Sequence, residues 1–332
     1  MIVFKRIVYS FGLIFLLSVA FSAQKTAKNG EVVAPKTYKP LVFETSYAFE
    51  EILVAPVNQF IRENPSIKFK PGEIAATLID LSDPNHLKIA HLNGDGRIYP
   101  ASVVKLFYLA ALERQLEDGK VTMTPELTRG VRDMIVDSSN EATQYILDVI
   151  TDTSSGAELP QKQFDVWQAK RNRVNRFYAS MGYTNINVNQ KTFCEDAYGI
   201  EQQSRNYKNE NRNALTTTAT ARLLAEIVAG RMNTPERTAA MMTLLKRDPF
   251  AKSDGEDQAH GFTGKMLIDR KMTDAKLWSK AGWTSKARHD AAYIETADGL
   301  KFVLVVFTEN HATEKEFIPM IAGKIIDGLR KK

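Results

Sequence analysis

Apolar and polar positions change rhythm several times along this chain, and each change marks an element. Between residues 45 and 63, Phe49, Ile52, Leu53, Phe60 and Ile61 recur at helical spacing, which predicts an amphipathic helix with Pro56 as a point of break. Residues 74–81 predict a strand, Ser82-Asp83-Pro84-Asn85 a turn, and residues 87–92 a second short strand. After the loop Asn93-Gly94-Asp95-Gly96, residues 101–116 run without Gly or Pro and are filled with Ala, Leu, Val, Phe and Tyr, the composition of a buried helix. Further helices are predicted at about 124–136, 140–151 and 160–181, with a polar loop at 152–158 and Gly182 closing the third.

Residues 183–214 lose the rhythm. Asn, Gln, Lys, Arg and Glu dominate, and a long irregular loop is predicted. Helical patterns return at 216–228 and 235–245, followed by three strands at 276–283, 290–296 and 301–308 and a final amphipathic helix at 317–329. The order is helix, two strands, a helical middle, three strands and helix. It predicts a mixed α/β fold of the α+β kind, with one five-stranded antiparallel sheet flanked by helices and built from both ends of the chain. The helical middle becomes an inserted all-α lobe, and a pocket is expected where the lobes join. The expected organisation is a leader at 1–22, a flexible Lys-rich linker at 23–44 and one catalytic domain at 45–332. In that domain the sheet lobe takes about 45–99 and 263–332, and the α lobe about 100–262.

Composition narrows the class. The 332 residues are 44% hydrophobic and 25% charged, a globular balance. A net charge of +5 with scattered basic residues leaves no nucleic-acid footprint. Lys5 and Arg6, the apolar run at 7–21 and Ala20-Phe21-Ser22 read as a secretory signal cleaved after Ser22, so a secreted or periplasmic protein is expected, with no stable membrane span after processing. The competing reading is an N-terminal membrane anchor. Cys194 is the only cysteine, so no intrachain disulfide is possible; with five histidines in the chain, a zinc site is not expected, nor any cofactor. Cys194 as a nucleophile lacks a nearby histidine. A monomer is expected.

The chemistry starts at Tyr99-Pro100-Ala101-Ser102-Val103-Val104-Lys105-Leu106. Ser102 falls at the start of the predicted helix, where free N–H groups and the positive end of the dipole gather. Lys105 follows one turn later, flanked by Val103, Val104, Leu106 and Phe107. A lysine in such a dry setting can lose its proton and activate a serine. By itself S-x-x-K also describes an N-cap and a solvated lysine, and Ser22 with Lys25 repeats the spacing. Asp137-Ser138-Ser139-Asn140, between two predicted helices, offers a hydroxyl relay at Ser138 and an amide at Asn140, or an ordinary N-cap. Lys280-Ala281-Gly282-Trp283 ends a predicted strand, where Lys280 can attract an anion, or stand solvated on an edge, and Gly282 admits a close approach. Arg288, at the start of the next strand, is a candidate for a second carboxylate clamp.

In this order, S-x-x-K, S-x-N and K-x-G resemble the penicillin-recognising serine enzymes, with motifs S-x-x-K, S-D-N and K-T-G, and within them the class A β-lactamases. Arg288-His289-Asp290 and Leu215-Thr216-Thr217-Thr218 are similar to further features of that class, and the resemblance spans about residues 45–330. It implies that Ser102 is acylated, that Lys105 is or holds the base, and that Ser138 passes a proton to the leaving nitrogen. Asn140 would bind the substrate's side-chain amide, Lys280 with Arg288 its carboxylate, and the N–H groups of Ser102 and Trp283, beside Gly282, the oxyanion. The implied partner is a small-molecule β-lactam or a cell-wall peptide.

Three departures matter. Ser139 and Ala281 replace the Asp of S-D-N and the Thr of K-T-G, with Thr284 or Ser285 as candidate substitutes for the lost hydroxyl. No E-x-x-L-N, the motif of the class A deacylating glutamate, occurs in 183–214. Glu195, Glu201 and Glu210 are the carboxylates available there, and Glu201 has the best distance from Thr216. The spacing between motifs is also short in the first interval and long in the second. The expectation is a β-lactamase-type hydrolase with slow turnover. The alternatives are a penicillin-binding peptidase or other amide or ester hydrolase without efficient deacylation, and a non-catalytic binding protein on this scaffold.

Overall fold

The computed structural model describes residues 31–253, 255 and 257–331; the expected leader and the first residues of the expected linker lie outside them. Helix α1 (Tyr47–Glu63) is capped by Ser46, whose hydroxyl accepts from Phe49 N, and it runs through Pro56 without ending there. Strands β1 (Ile74–Asp80) and β2 (Lys88–Leu92) pair antiparallel. A 3-10 turn at Ala101–Val103 leads into α2 (Val104–Glu117), buried from Val104 to Leu116. A helix apolar on all sides belongs inside a domain, and α2 is the centre of the larger hydrophobic cluster. Gly119, with φ +64, follows its end.

Around α2 pack α3 (Pro125–Ile135), α4 (Asn140–Thr151), α5 (Gln161–Arg171), α6 (Arg173–Ser180), α7 (Ile200–Arg205), α8 (Thr217–Val228) and α9 (Pro235–Leu245). The single helix expected at 160–181 is two, broken at Asn172, whose side-chain oxygen accepts from Asn175 and Asn189. A two-residue strand, β3 (Lys246–Arg247), and a short helix, α10 (Thr263–Asp269), precede β4 (Lys276–Trp283), β5 (Arg288–Glu295), β6 (Lys301–Thr308) and α11 (Phe317–Leu329).

The sheet is antiparallel in the order β2-β1-β6-β5-β4-β3. It has six strands where five were expected. The extra strand is too short to show period-two alternation and is fixed by pairing with β4. Alternate residues of β1, β5 and β6 feed two cores. Thus Ala75, Ile79, Ala291 and Val305 join the α2 cluster, while Ala76, Leu78, Ala292 and Leu304 join α1, α10 and α11 on the other face. Residues 31–44 are not a loose linker. Val32 is buried in the α2 cluster, Glu44 bridges to Lys88, and the Tyr38 hydroxyl donates to Glu226 at 2.9 Å. Among the described residues, no helix is long and apolar enough to cross a membrane, and no three His, Cys, Asp or Glu side chains converge as a metal site.

Candidate active site

The site lies where the 3-10 turn meets the β4 end of the sheet and the α3–α4 connection. Ala101, with φ +46, turns the chain sharply into Ser102, and Val103 N donates to Pro100 O at 3.0 Å. Ser102 is thus in the tight turn just before α2 rather than in its first α-helical turn. Gly282 of β4 is pressed against this turn. A Cβ there would lie 2.8 Å from both Pro100 O and Ser102 N, so only glycine lets the strand approach so closely. That contact brings the N–H groups of Ser102 and Trp283, one residue beyond Gly282, into one neighbourhood.

Lys105 is fully buried. Its Nζ donates to Ser138 Oγ at 3.3 Å, to Asn140 Oδ1 at 3.0 Å and to the Ser138 carbonyl. Lys280, also fully buried, donates from its Nζ to the same Ser138 Oγ at 2.9 Å, to Gln258 Oε1 at 2.6 Å and to Ala281 O at 2.8 Å. One hydroxyl therefore bridges two amines that come from opposite lobes. Ser138 reaches this place because it sits in the left-handed region, φ +59, between α3 and α4. Neighbouring Ser139 accepts from Ala142 N and caps α4, the role an ordinary N-cap would have.

Burial dominates the electrostatics. Desolvation pushes the Lys105 ammonium down to about 7, against the opposing pull of Glu141 and the Cys194 side chain. Lys280 lies well below its ordinary value, first through burial and then through the charges of Lys105 and Arg247; Asp290 opposes them. Arg288 is buried, stacks 4.1 Å over the Phe262 ring and donates to Gly261 O. Trp283 is 48% exposed beside Phe262, with ring centroids 5.7 Å apart.

The structure brings Ser102, Lys105, Ser138, Asn140, Lys280, Gly282 and Trp283 together, with Arg288 paired to Trp283 across β4 and β5. It does not bring Glu201. That carboxylate is buried, receiving Arg171 at 2.8 and 2.9 Å, the Ser155 hydroxyl at 2.9 Å and Lys191 at 3.2 Å. Although burial raises its pKa, these cations hold it below the usual carboxylate range. It braces the polar segment instead of facing Lys105. The Thr284 hydroxyl accepts from Lys286 N and Ala287 N in the β4–β5 turn, which leaves its O–H to donate, and Thr284 lines the adjoining cavity. Ser285, Glu195 and Glu210 line an adjoining cavity of about 770 Å³ together with Tyr99, Phe193 and Arg212.

Two site residues escape sequence reasoning. Gln258 accepts from Lys280 and Ala281 N while donating to the carbonyls of Ile135 and Val136, so it ties β4 to α3. Nothing in an isolated glutamine signals that. Cys194 is exposed, and Asn140 Nδ2 donates to its Sγ at 3.4 Å. The only available signal was that it is the single thiol in a stretch expected to reach the site.

A serine in the tight turn before α2, a buried lysine three residues on, and a hydroxyl shared with a second lysine from the sheet make up this site, in a chain of the penicillin-recognising serine hydrolase superfamily. The chain belongs to the beta-lactamase enzyme family, whose model matches residues 59–329. Among solved structures it is similar to a beta-lactamase from Sphaerobacter thermophilus, at 20% identity and TM-score 0.60, over 84% of this chain and 98% of that one. It is also similar to PBP-A, at 15% identity and TM-score 0.59, over 89% and 100%. A beta-lactamase from Chitinophaga pinensis follows at 16% identity and TM-score 0.58, over 82% and 99%. One similar structure is a PBP-A mutant as an acyl-enzyme complex with penicillin G, at 15% identity and TM-score 0.58, over 88% and 100%. Comparison with the curated proteins gives no match.

Proposed function

We propose that this protein is a secreted serine hydrolase of β-lactamase type, acylated on Ser102 by β-lactams or similar amides, whose acyl-enzyme is hydrolysed slowly. The observation that carries the acylation half is the shared hydroxyl: Ser138 Oγ lies between Lys105 Nζ and Lys280 Nζ beside the Ser102 turn. With its pKa near 7, Lys105 holds a useful fraction of free amine at neutral pH and takes the Ser102 proton as Oγ attacks the carbonyl carbon. The N–H groups of Ser102 and Trp283 receive the developing oxyanion, and one such donor is worth about 2.7–4 kcal/mol of barrier. As the C–N bond breaks, Ser138 gives its proton to the departing nitrogen and is reprotonated from the Lys105 ammonium. Lys280, starved of counter-charge by burial, gains one when a substrate carboxylate enters, and Arg288 adds to the attraction. Asn140 orients the acyl side chain.

The slow half rests on what the polar segment presents. Its group against Asn140 is the Cys194 thiol, and Glu201 is consumed by Arg171 and Lys191. A thiol there is a poor substitute for the carboxylate that would deprotonate a hydrolytic water. This favours a long-lived acyl-enzyme, as in a penicillin-binding protein. The test is covalent labelling with a fluorescent penicillin. Label is expected on the native protein and none on Ser102→Ala; equal labelling of both would refute the assignment.

A further inference from the structure

Beneath the nucleophile's turn lies a side chain that this reaction does not use. His289 is fully buried on β5, directly across the sheet from Gly282. Its partners fix its tautomer. Thr308 N–H donates to Nδ1 at 3.1 Å, which makes Nδ1 the acceptor there, with the Arg288 carbonyl also within reach of the ring. Nε2 lies 2.9 Å from the Tyr99 carbonyl oxygen, which can only accept, so Nε2 carries the ring's one N–H. Burial favours this neutral ring and pushes its pKa down to about 4. One face of the imidazole packs on Phe307, with centroids 4.6 Å apart.

Ala101, two residues past Tyr99, sits at φ +46, a region that a residue with a Cβ avoids. A methyl side chain makes no hydrogen bond that could hold it there, so the flanks must. Downstream, the turn runs into α2 and is pressed by Gly282. Upstream, Ile98 is tied by two backbone bonds of 2.9 Å to Leu215, and Tyr99 is tied by His289. We propose that His289 is a positioning residue: its Nε2–H, by fixing the Tyr99 carbonyl, keeps Ala101 in its left-handed conformation and so sets the Ser102 hydroxyl and N–H for acyl transfer. The inference rests on the reading of Ser102 as the acylated residue.

Two substitutions separate positioning from packing. In His289→Gln the side-chain amide can still donate at about the depth of Nε2. In His289→Asn it ends at about the depth of Nδ1 and keeps only an acceptor for Thr308. Both lose the ring on Phe307, so a purely structural loss falls on both. The acylation rate constant of His289→Asn is expected to fall about tenfold or more with the probe's binding constant little changed, while His289→Gln stays within about threefold of native. Equal losses that track the melting temperature, or a native rate in folded His289→Asn, would overturn the proposal. Should neither variant fold, histidine-ring nitrogen NMR of the native protein decides: the Nε2–H tautomer supports the Tyr99 bond, and the Nδ1–H tautomer refutes it. A native protein that takes no label would refute the reading of Ser102 instead, and the ring spectrum would still stand as a test of the His289 contact.

Discussion

On one side of Lys105 stands the β4–β5 pair, and on the other stands the segment 183–214. The first is built from strands in register, with Gly282 opposite His289 and Lys280 opposite Ala291, over cores on both faces. The second has one short α-helix, a 3-10 turn at Tyr207–Asn209 and an isolated bridge between Asn187 and Ala214, and is otherwise irregular, yet much of it is buried. Apart from the Asn187–Ala214 bridge, several of its backbone groups are satisfied by side-chain amides rather than by a ladder. Asn213 Oδ1 accepts from Asn189 N and Gln190 N, Asn213 Nδ2 donates to Gln190 O, and Asn175 accepts from Val188 N. Its charges are cross-linked through Arg171, Lys191, Asp148 and Glu201. Hydrophobic alternation makes the wall that carries Lys280 and Gly282, and side-chain satisfaction makes the wall that carries Cys194 and Glu201. A wall of the second kind can exchange the residue it shows to the site, here Cys194, without disturbing a strand register.

The comparison can be broken first at Lys105. Replacing it with Met removes the proposed base that stands between the two walls and is expected to slow acylation by about 10²–10⁴-fold, measured as the labelling rate with a penicillin. In the native protein the same rate is expected to fall about tenfold per pH unit below about 7, because the free amine is the active form and is lost to protonation there. A labelling rate flat from pH 5 to 8 would remove Lys105 from the role.

Glu201→Gln tests the opposite wall. It leaves Arg171 and Lys191 short of a buried counter-charge and is expected to cost about 3–5 kcal/mol in a denaturant titration, while acylation of the folded protein stays native. Loss of deacylation with unchanged stability would return Glu201 to a catalytic role. Cys194→Glu is the smaller and sharper change. A carboxylate against Asn140 is expected to shorten the adduct lifetime by about 100-fold, read by intact-protein mass spectrometry. An unchanged lifetime would mean that the segment does not govern hydrolysis.

The same contrast explains what was legible in the sequence. The five longer strands of the sheet, α2 and the final helix follow from apolar periodicity, and Ser102, Lys105, Ser138, Asn140 and Lys280 are picked out by motif order. Their meeting depends on the register of β4 and the left-handed turn at Ser138, which backbone geometry supplies. The polar segment was opaque because amides and ion pairs leave no period: Glu201 looked available by distance, and its partners Arg171 and Lys191 cannot be read from spacing. Residues 31–44 were misjudged for a similar reason, since Tyr38 is held by Glu226, far along the chain. Gln258 and β3 are too short or too isolated to carry a pattern.

The lifetime of the covalent adduct tests the central claim most directly. Native protein mixed with a several-fold excess of a penicillin, quenched over minutes to hours and weighed intact, is expected to carry one added acyl group on Ser102 that persists through most of the course. Rapid return to the unmodified mass with consumption of excess penicillin, or no added mass at any time, would contradict it.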